Sequence, residues 1–391
     1  MELNPLDTEQ IGLKTLETHL IRSESSVSLK IGLPKETSND ERRLSLTPGG
    51  VSILRGNGHE VYIEKGAGEE ANFSDRDYAE AGAEITFSAQ DVFKKSDLIL
   101  KVAPLTDEEL EYLEHDQSII EALLEKSVTG IAYEFICDAD KEFPIVRMMH
   151  EITGSIAVQK AAHYLENQSL GQGIMLGGIS GVPPATVVIL GAGITGEYAA
   201  RTALGYGAQV FVMDTNLNAL RRLENALDRR IITAVANEQY LSSALKFADV
   251  IIGAAMAEGD RSPCWVTEEM VMGMKPGSVI VDTVIDQGGC IATSQATTHS
   301  NPIYKAFDVT HYCVPNMPAD VARTATYALN NVLVPYILAI GDAGGVKECL
   351  WGNSALRNGT YSYKKHLTKK SLSKMFNMDY REIEMLIASK I

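Results

Sequence analysis

From Ser28 onward, short apolar runs alternate with stretches of helical period, the pattern of strands and helices taking turns. The runs are SLKIGL, residues 61–64, DLILK ending at Lys101, TVVIL at 186–190, QVFVM at 209–213, a strand near Ile231, DVIIGAA and SVIVDTV. Between them the spacing predicts helices over 48–57, 149–166, 197–206, 216–228, 238–247 and 267–274. Strands that alternate with helices pair in parallel, because a parallel connection needs a crossover. The expected fold is therefore α/β, with two Rossmann-like domains, doubly wound parallel sheets and a cleft between them. Residues 1–27 place Ile11, Leu13, Leu16, Leu20 and Ile21 at helical spacing and read as an appended helix, and the charged C-terminal tail reads as helical.

The most informative stretch is 185–214. It runs strand, Gly191-Ala192-Gly193-Ile194-Thr195-Gly196, helix, second strand and Asp214. Each glycine has its own steric reason. Gly191 makes the tight turn, Gly193 allows close approach of a pyrophosphate, and Gly196 allows close helix–strand packing. The helix N-terminus offers unpaired N–H groups and a positive dipole end to that pyrophosphate. Asp214 ends the second strand, where a carboxylate accepts from ribose hydroxyls and repels a 2′-phosphate. The unit predicts NAD, in preference to NADP.

The first region has no such glycine pattern and reads as a substrate domain. The expected boundaries are 1–27 for the extension, 28–153 for the first part of the substrate domain and 154–322 for the NAD-binding domain, with 323–391 returning to the substrate domain. The chain of 391 residues is long enough for two cores. Its formal charge of −16 argues against nucleic acid or an anionic membrane as partner. Five dispersed cysteines, Cys137, Cys264, Cys290, Cys313 and Cys349, show no zinc or disulfide spacing, and metal binding is unsupported. The N-terminus has no signal pattern and no apolar run is long enough to span a bilayer, so a soluble, cytoplasmic protein is expected.

Several segments, IGLPKETSNDERRLSLTP, LKVAP, GGISGVPPATVVILGAGITGEYAA, VDTVIDQGGC and HYCVPNMPADVARTATYALNN, together resemble the alanine dehydrogenase and nicotinamide nucleotide transhydrogenase family, on the alanine dehydrogenase side. The resemblance covers nearly everything from Ser28. It implies a two-domain subunit, usually in a homohexamer, that uses NAD for the reversible oxidative deamination of L-alanine to pyruvate and ammonia. Arg43 matches the family arginine that binds the substrate carboxylate, which a guanidinium can do bidentately. Asp286 matches the catalytic aspartate; without the resemblance it reads equally as a loop cap. Asn316 matches the asparagine beside substrate and nicotinamide, and it also suits an Asx turn before Pro318.

Two segments depart from the family. Its second lysine after this strand aligns with Ala103; Lys101, two residues earlier and on the same face of the strand, reads either as a substitute cation or as an ordinary strand-end lysine. The family's histidine-bearing stretch is absent: Asp116-Gln117-Ser118-Ile119 runs directly into Ile120-Glu121-Ala122-Leu123-Leu124. His115 sits just upstream in a polar turn, and His59, His150, His163, His299 and His311 carry no ligand pattern. Three readings stay open: a working alanine dehydrogenase, a non-catalytic NAD(H)-binding module with a decayed substrate site, and a transhydrogenase-like NAD(H)-binding subunit.

Overall fold

Strand β1 (Lys30–Leu33) opens the first sheet with Ile31 and Leu33 fully buried. The computed structural model describes residues 27–388 except 39, 107, 110–111, 113–122, 125, 170, 228–229 and 257–260. The expected N-terminal helix, but for its last residue, and His115 lie outside the described residues. After β1 come α1 (Pro48–Gly56), β2 (Glu60–Glu64), α2 (Asp75–Glu80), β3 (Glu84–Thr86), α3 (Ala89–Lys95) and β4 (Leu98–Ile99). Each helix start is fixed by a side chain that accepts an otherwise unpaired N–H: Thr47 for α1, Ser74 for α2 and Ser88 for α3. The strands lie in the order β3-β2-β1-β4 and all pair in parallel.

After β5 (Gly130–Ile131), α4 (Pro144–Tyr164) begins earlier than its apolar spacing predicts, because Pro144 is preorganised for a first helical turn. The chain forms two compact units, one of residues 1–146 and 321–391, the other of residues 147–320. The changeover falls inside α4, upstream of the 153/154 boundary drawn from the sequence.

The second unit continues with β6 (Thr186–Leu190), α5 (Ile194–Tyr206), β7 (Gln209–Asp214), α6 (Leu217–Ala226), β8 (Ile232–Val235), α7 (Glu238–Phe247), β9 (Val250–Gly253), α8 (Glu268–Met272), β10 (Val279–Asp282), β11 (Ile303–Ala306) and β12 (Val309–Tyr312). Their order is β11-β12-β10-β9-β6-β7-β8, parallel except for β11. All five residues of β6 are buried, as are all four of β9 and of β10, which is why these runs are apolar apart from Thr186 and Asp282 at their ends. The order reverses between β6 and β9, and ligands of such sheets bind beyond the strand ends at that switch point.

The chain then re-enters the first unit as α9 (Ala322–Asp342), where Thr326 and Asn330 accept from the Leu44 and Thr47 amides at 3.0 and 3.1 Å. The tail, expected to be helical, also contains a hairpin of β13 (Thr360–Tyr363) and β14 (His366–Leu367) that pairs with β5. Its turn residues Lys364 and Lys365 both have positive φ, at 45° and 65°. A two-residue hairpin turn of this kind favours Asn-Gly, so a Lys-Lys pair carries no signal for it.

Candidate active site

The Gly191–Gly196 turn joins β6 to α5 at the switch point. Gly191 has φ +108°, and a Cβ there would run into the Ala254 carbonyl. A Cβ on Gly196 would run into the Gly191 carbonyl oxygen, so both glycines are required by the protein itself. Gly193 differs, because a Cβ there meets nothing within 4 Å. The space above it is open. Gly193 is also the N-cap of α5, which has no side-chain cap, so the helix begins at Ile194, with Thr195 and Gly196 buried behind. Uncapped N–H groups facing open space above a glycine fit a dinucleotide pyrophosphate.

Asp214 ends β7. Its Oδ2 accepts from the Ala192 amide and its Oδ1 from the Asn216 amide, both at 2.7 Å. Arg222 of α6 donates to the Ala192 carbonyl at 3.1 Å. Each carboxylate oxygen has a second lone pair, so Asp214 retains capacity for ribose hydroxyls while it shapes the turn.

Asp286 lies in the short 3-10 turn Ile285–Gln287 after β10, at the same sheet edge, and it is exposed. Its Oδ1 accepts from the Gln287 amide at 3.1 Å, the loop-cap contact, which leaves Oδ2 out of that bond. The loop that carries it is stapled by Asp282, whose carboxylate accepts from the Val284 and Cys290 amides at 3.2 and 3.1 Å. Asp282 is fully buried; desolvation pushes its carboxyl up, and these hydrogen bonds oppose the push. The alternation rule offers no reason to single out an acid at the buried end of a strand. Asn316 adopts the left-handed conformation at φ 57°, and its carbonyl accepts from Ala319 at 3.0 Å, a turn at the start of NMP.

Within the second unit, burial lowers the pKa of His150 of α4, and the charge of Asp286 opposes that shift. Nothing in the local pattern around His150 assigns it a role.

In the first unit the register of β1 beside β4 brings the segments after Leu33 and Ile99 together. Glu36 accepts from the Val102 amide at 2.6 Å and lies 3.2 Å from the Lys101 ammonium. Lys101 also donates to Glu109 at 2.7 Å, while the other oxygen of Glu109 accepts from Thr106. Lys101 is only 7% exposed, so it is a buried cation between two carboxylates. Burial pushes the Glu36 carboxyl up, and Lys101 pulls it back. Arg43 forms a two-pronged pair with Glu41, at 2.8 Å from Nε and 2.6 Å from Nη2. The sequence pointed to both cations and missed all three acids that hold them.

Comparison with known proteins adds a family to this geometry. The family model described as alanine dehydrogenase/PNT, N-terminal domain, matches residues 32–153, and the corresponding C-terminal domain matches residues 157–370. An alanine dehydrogenase of Methanococcus maripaludis is 42% identical over 367 residues, covering 90% of this chain and 98% of the relative. One from Mycobacterium tuberculosis strain H37Rv is 38% identical over 372 residues, covering 92% and 100%. A solved L-alanine dehydrogenase superposes with a TM-score of 0.85 at 38% identity, covering 89% of this chain and 99% of that one.

Proposed function

This chain belongs to the alanine dehydrogenase/PNT family, and on that premise we propose that it is an NAD-dependent oxidoreductase that converts L-alanine reversibly to pyruvate and ammonia. The observation that carries the cofactor assignment is the uncapped α5 N-terminus above the open Gly193, with Asp214 beside it. The backbone of Gly191, Ala192, Gly193, Ile194, Thr195 and Gly196 holds the pyrophosphate, Asp214 the ribose hydroxyls, and Asn316 the nicotinamide end. NAD, when bound, takes up the hydride released from the alanine Cα.

The remaining steps fall to side chains. Arg43 binds the substrate carboxylate, with Glu41 fixing the plane of its guanidinium. Lys101 adds positive charge, its stem held in place by Glu36 and Glu109. Asp286 takes the proton of the substrate ammonium, and Asn316 orients the reacting carbon. The first unit serves as the substrate domain and the second as the NAD-binding domain. Five free cysteines suit the reducing cytosol, and we expect a homo-oligomer, which sedimentation will measure.

The absence of the histidine-bearing stretch favours one competing reading, an NAD(H)-binding chain without turnover. One assay separates the two: NADH absorbance followed with pyruvate and ammonium, on protein of verified mass. Consumption of NADH upholds the proposal; NADH binding with no consumption replaces it with the binding module.

A further inference from the structure

Ala192, inside the glycine turn, is held from two sides by opposite charges. Its N–H donates to Asp214 Oδ2 at 2.7 Å, and its carbonyl accepts from the Arg222 guanidinium at 3.1 Å. Both side chains come from the corner where β7 passes into α6. Asn216 caps α6 by accepting from the Asn218 and Ala219 amides, so the helix sets off directly behind the acid. Arg222, in the second turn of α6, reaches back toward the glycine turn because helical side chains lean to the N-terminal end. The residue is exposed, as are Thr215, Asn216 and Leu217, which follow the acid. The corner is therefore open beside the group assigned to the adenosine ribose. Among the described residues Arg222 forms no ion pair, and the Ala192 carbonyl occupies one N–H of its fork. Holding that neutral carbonyl needs a donor but no charge, so the positive charge of Arg222 and its remaining donors are left over.

We infer that Arg222 is a second determinant of cofactor choice, a 2′-phosphate-binding residue that Asp214 holds in check. The inference rests on the proposed cofactor site and on no later step of the reaction. A carboxylate only accepts hydrogen bonds, which suits a ribose hydroxyl; a guanidinium only donates them, which suits a phosphate. The two groups grip one backbone residue, so a ligand that reaches Asp214 also comes within the field of Arg222. In the parent chain a 2′-phosphate sets its acceptor oxygens against those of Asp214, and charge repulsion adds to that mismatch. Attraction to Arg222 offsets part of the cost, and NAD remains preferred. Without the carboxylate the guanidinium acts alone, and a bidentate contact to the phosphate becomes available. Cofactor preference in this chain is thus a balance of two side chains and not a property of the acid by itself.

The test is a double-mutant cycle on the full chain, with Asp214→Ser, Arg222→Gln and the double variant titrated by fluorescence with NADH and NADPH. Glutamine keeps a donor for the Ala192 carbonyl and removes the charge. The quantity read is the ratio of NADPH to NADH affinity, from which damage to the turn cancels because the two cofactors differ only in the phosphate. Asp214→Ser should raise the ratio several-fold, and adding Arg222→Gln to it should lower the ratio roughly tenfold, the size expected for a hydrogen bond to a charged group. A double variant whose ratio stays within about twofold of Asp214→Ser overturns the inference, and Arg222 then serves the turn alone. If Asp214→Ser does not fold, Arg222→Gln decides by itself: its ratio should fall by roughly threefold or more, and an unchanged ratio overturns the inference. A parent protein that binds neither nucleotide sinks the cofactor site and the inference together. One that binds NADH but oxidises no alanine sinks only the proposed reaction.

Discussion

The two units treat their functional groups in opposite ways. In the second unit the groups assigned to ligands are left open: α5 has no side-chain cap and Gly193 faces empty space. In the first unit each candidate cation is already engaged, Arg43 by Glu41 and Lys101 by Glu36 and Glu109. The difference follows from what holds each site. Backbone N–H groups at a helix end are fixed by the helix and need no further support. A long cationic side chain in a half-dry setting has to be neutralised and oriented, and carboxylates do both.

The sharpest test of this contrast is Asp286→Asn. We expect turnover to fall by ~10² to 10⁴ while NADH binding stays within about threefold, because the acid handles substrate protons and the cofactor is held by backbone. Loss of NADH binding along with activity would show that Asp286 serves the loop alone. Lys101→Met tests the other unit. It strands Glu36 and Glu109 without their counter-charge, and urea titration should show a loss on the order of 3 kcal/mol. A change below about 1 kcal/mol would break the contrast.

Two glycines of one turn should then part company. Gly193→Ala is expected to leave thermal stability unchanged and to weaken NADH roughly tenfold or more, about 1.4 kcal/mol, by intruding on the pyrophosphate. Gly196→Ala should lower the melting temperature, since its methyl meets the Gly191 carbonyl. Equal melting points for the two variants would refute this account of the turn. Asp214→Ser is expected to narrow the preference for NADH over NADPH by several-fold, about 1 kcal/mol, in paired fluorescence titrations; equal affinities in the parent protein would already disprove the role given to Asp214.

The smallest effect concerns pH. Burial holds His150 below the ordinary value of 6.5, so near that pH the unfolded chain binds more protons than the folded one. Stability from this group is full above 6.5 and declines as pH falls through it, and His311, lowered by the same cause, adds to the slope. Melting scans between pH 5.5 and 7.5 should therefore rise with pH, less steeply in His150→Gln; identical slopes would mean that the ring is not buried neutral.

Elements with a strong period were legible in the chain. TVVIL forms β6 over the range its apolar run predicts, and the 238–247 stretch forms α7 with its predicted bounds. Two parallel sheets follow from that alternation. Where a local rule is broken the chain carries no signal: the Lys364-Lys365 hairpin lacks turn chemistry, and α4 starts at a proline ahead of its apolar stripe.

The sheets, the glycine turn and the acid at the end of β7 follow from the order of residues alone, because each depends on neighbours close along the chain whose spacing fixes their geometry. Which charges meet is set by the packed fold. Glu36 reaches Lys101 because β1 and β4 are adjacent, and Asp282 staples the loop of Asp286 because β10 ends beneath it. Contacts between residues far apart in the chain are set by packing, to which the local period of hydrophobic and polar positions is blind.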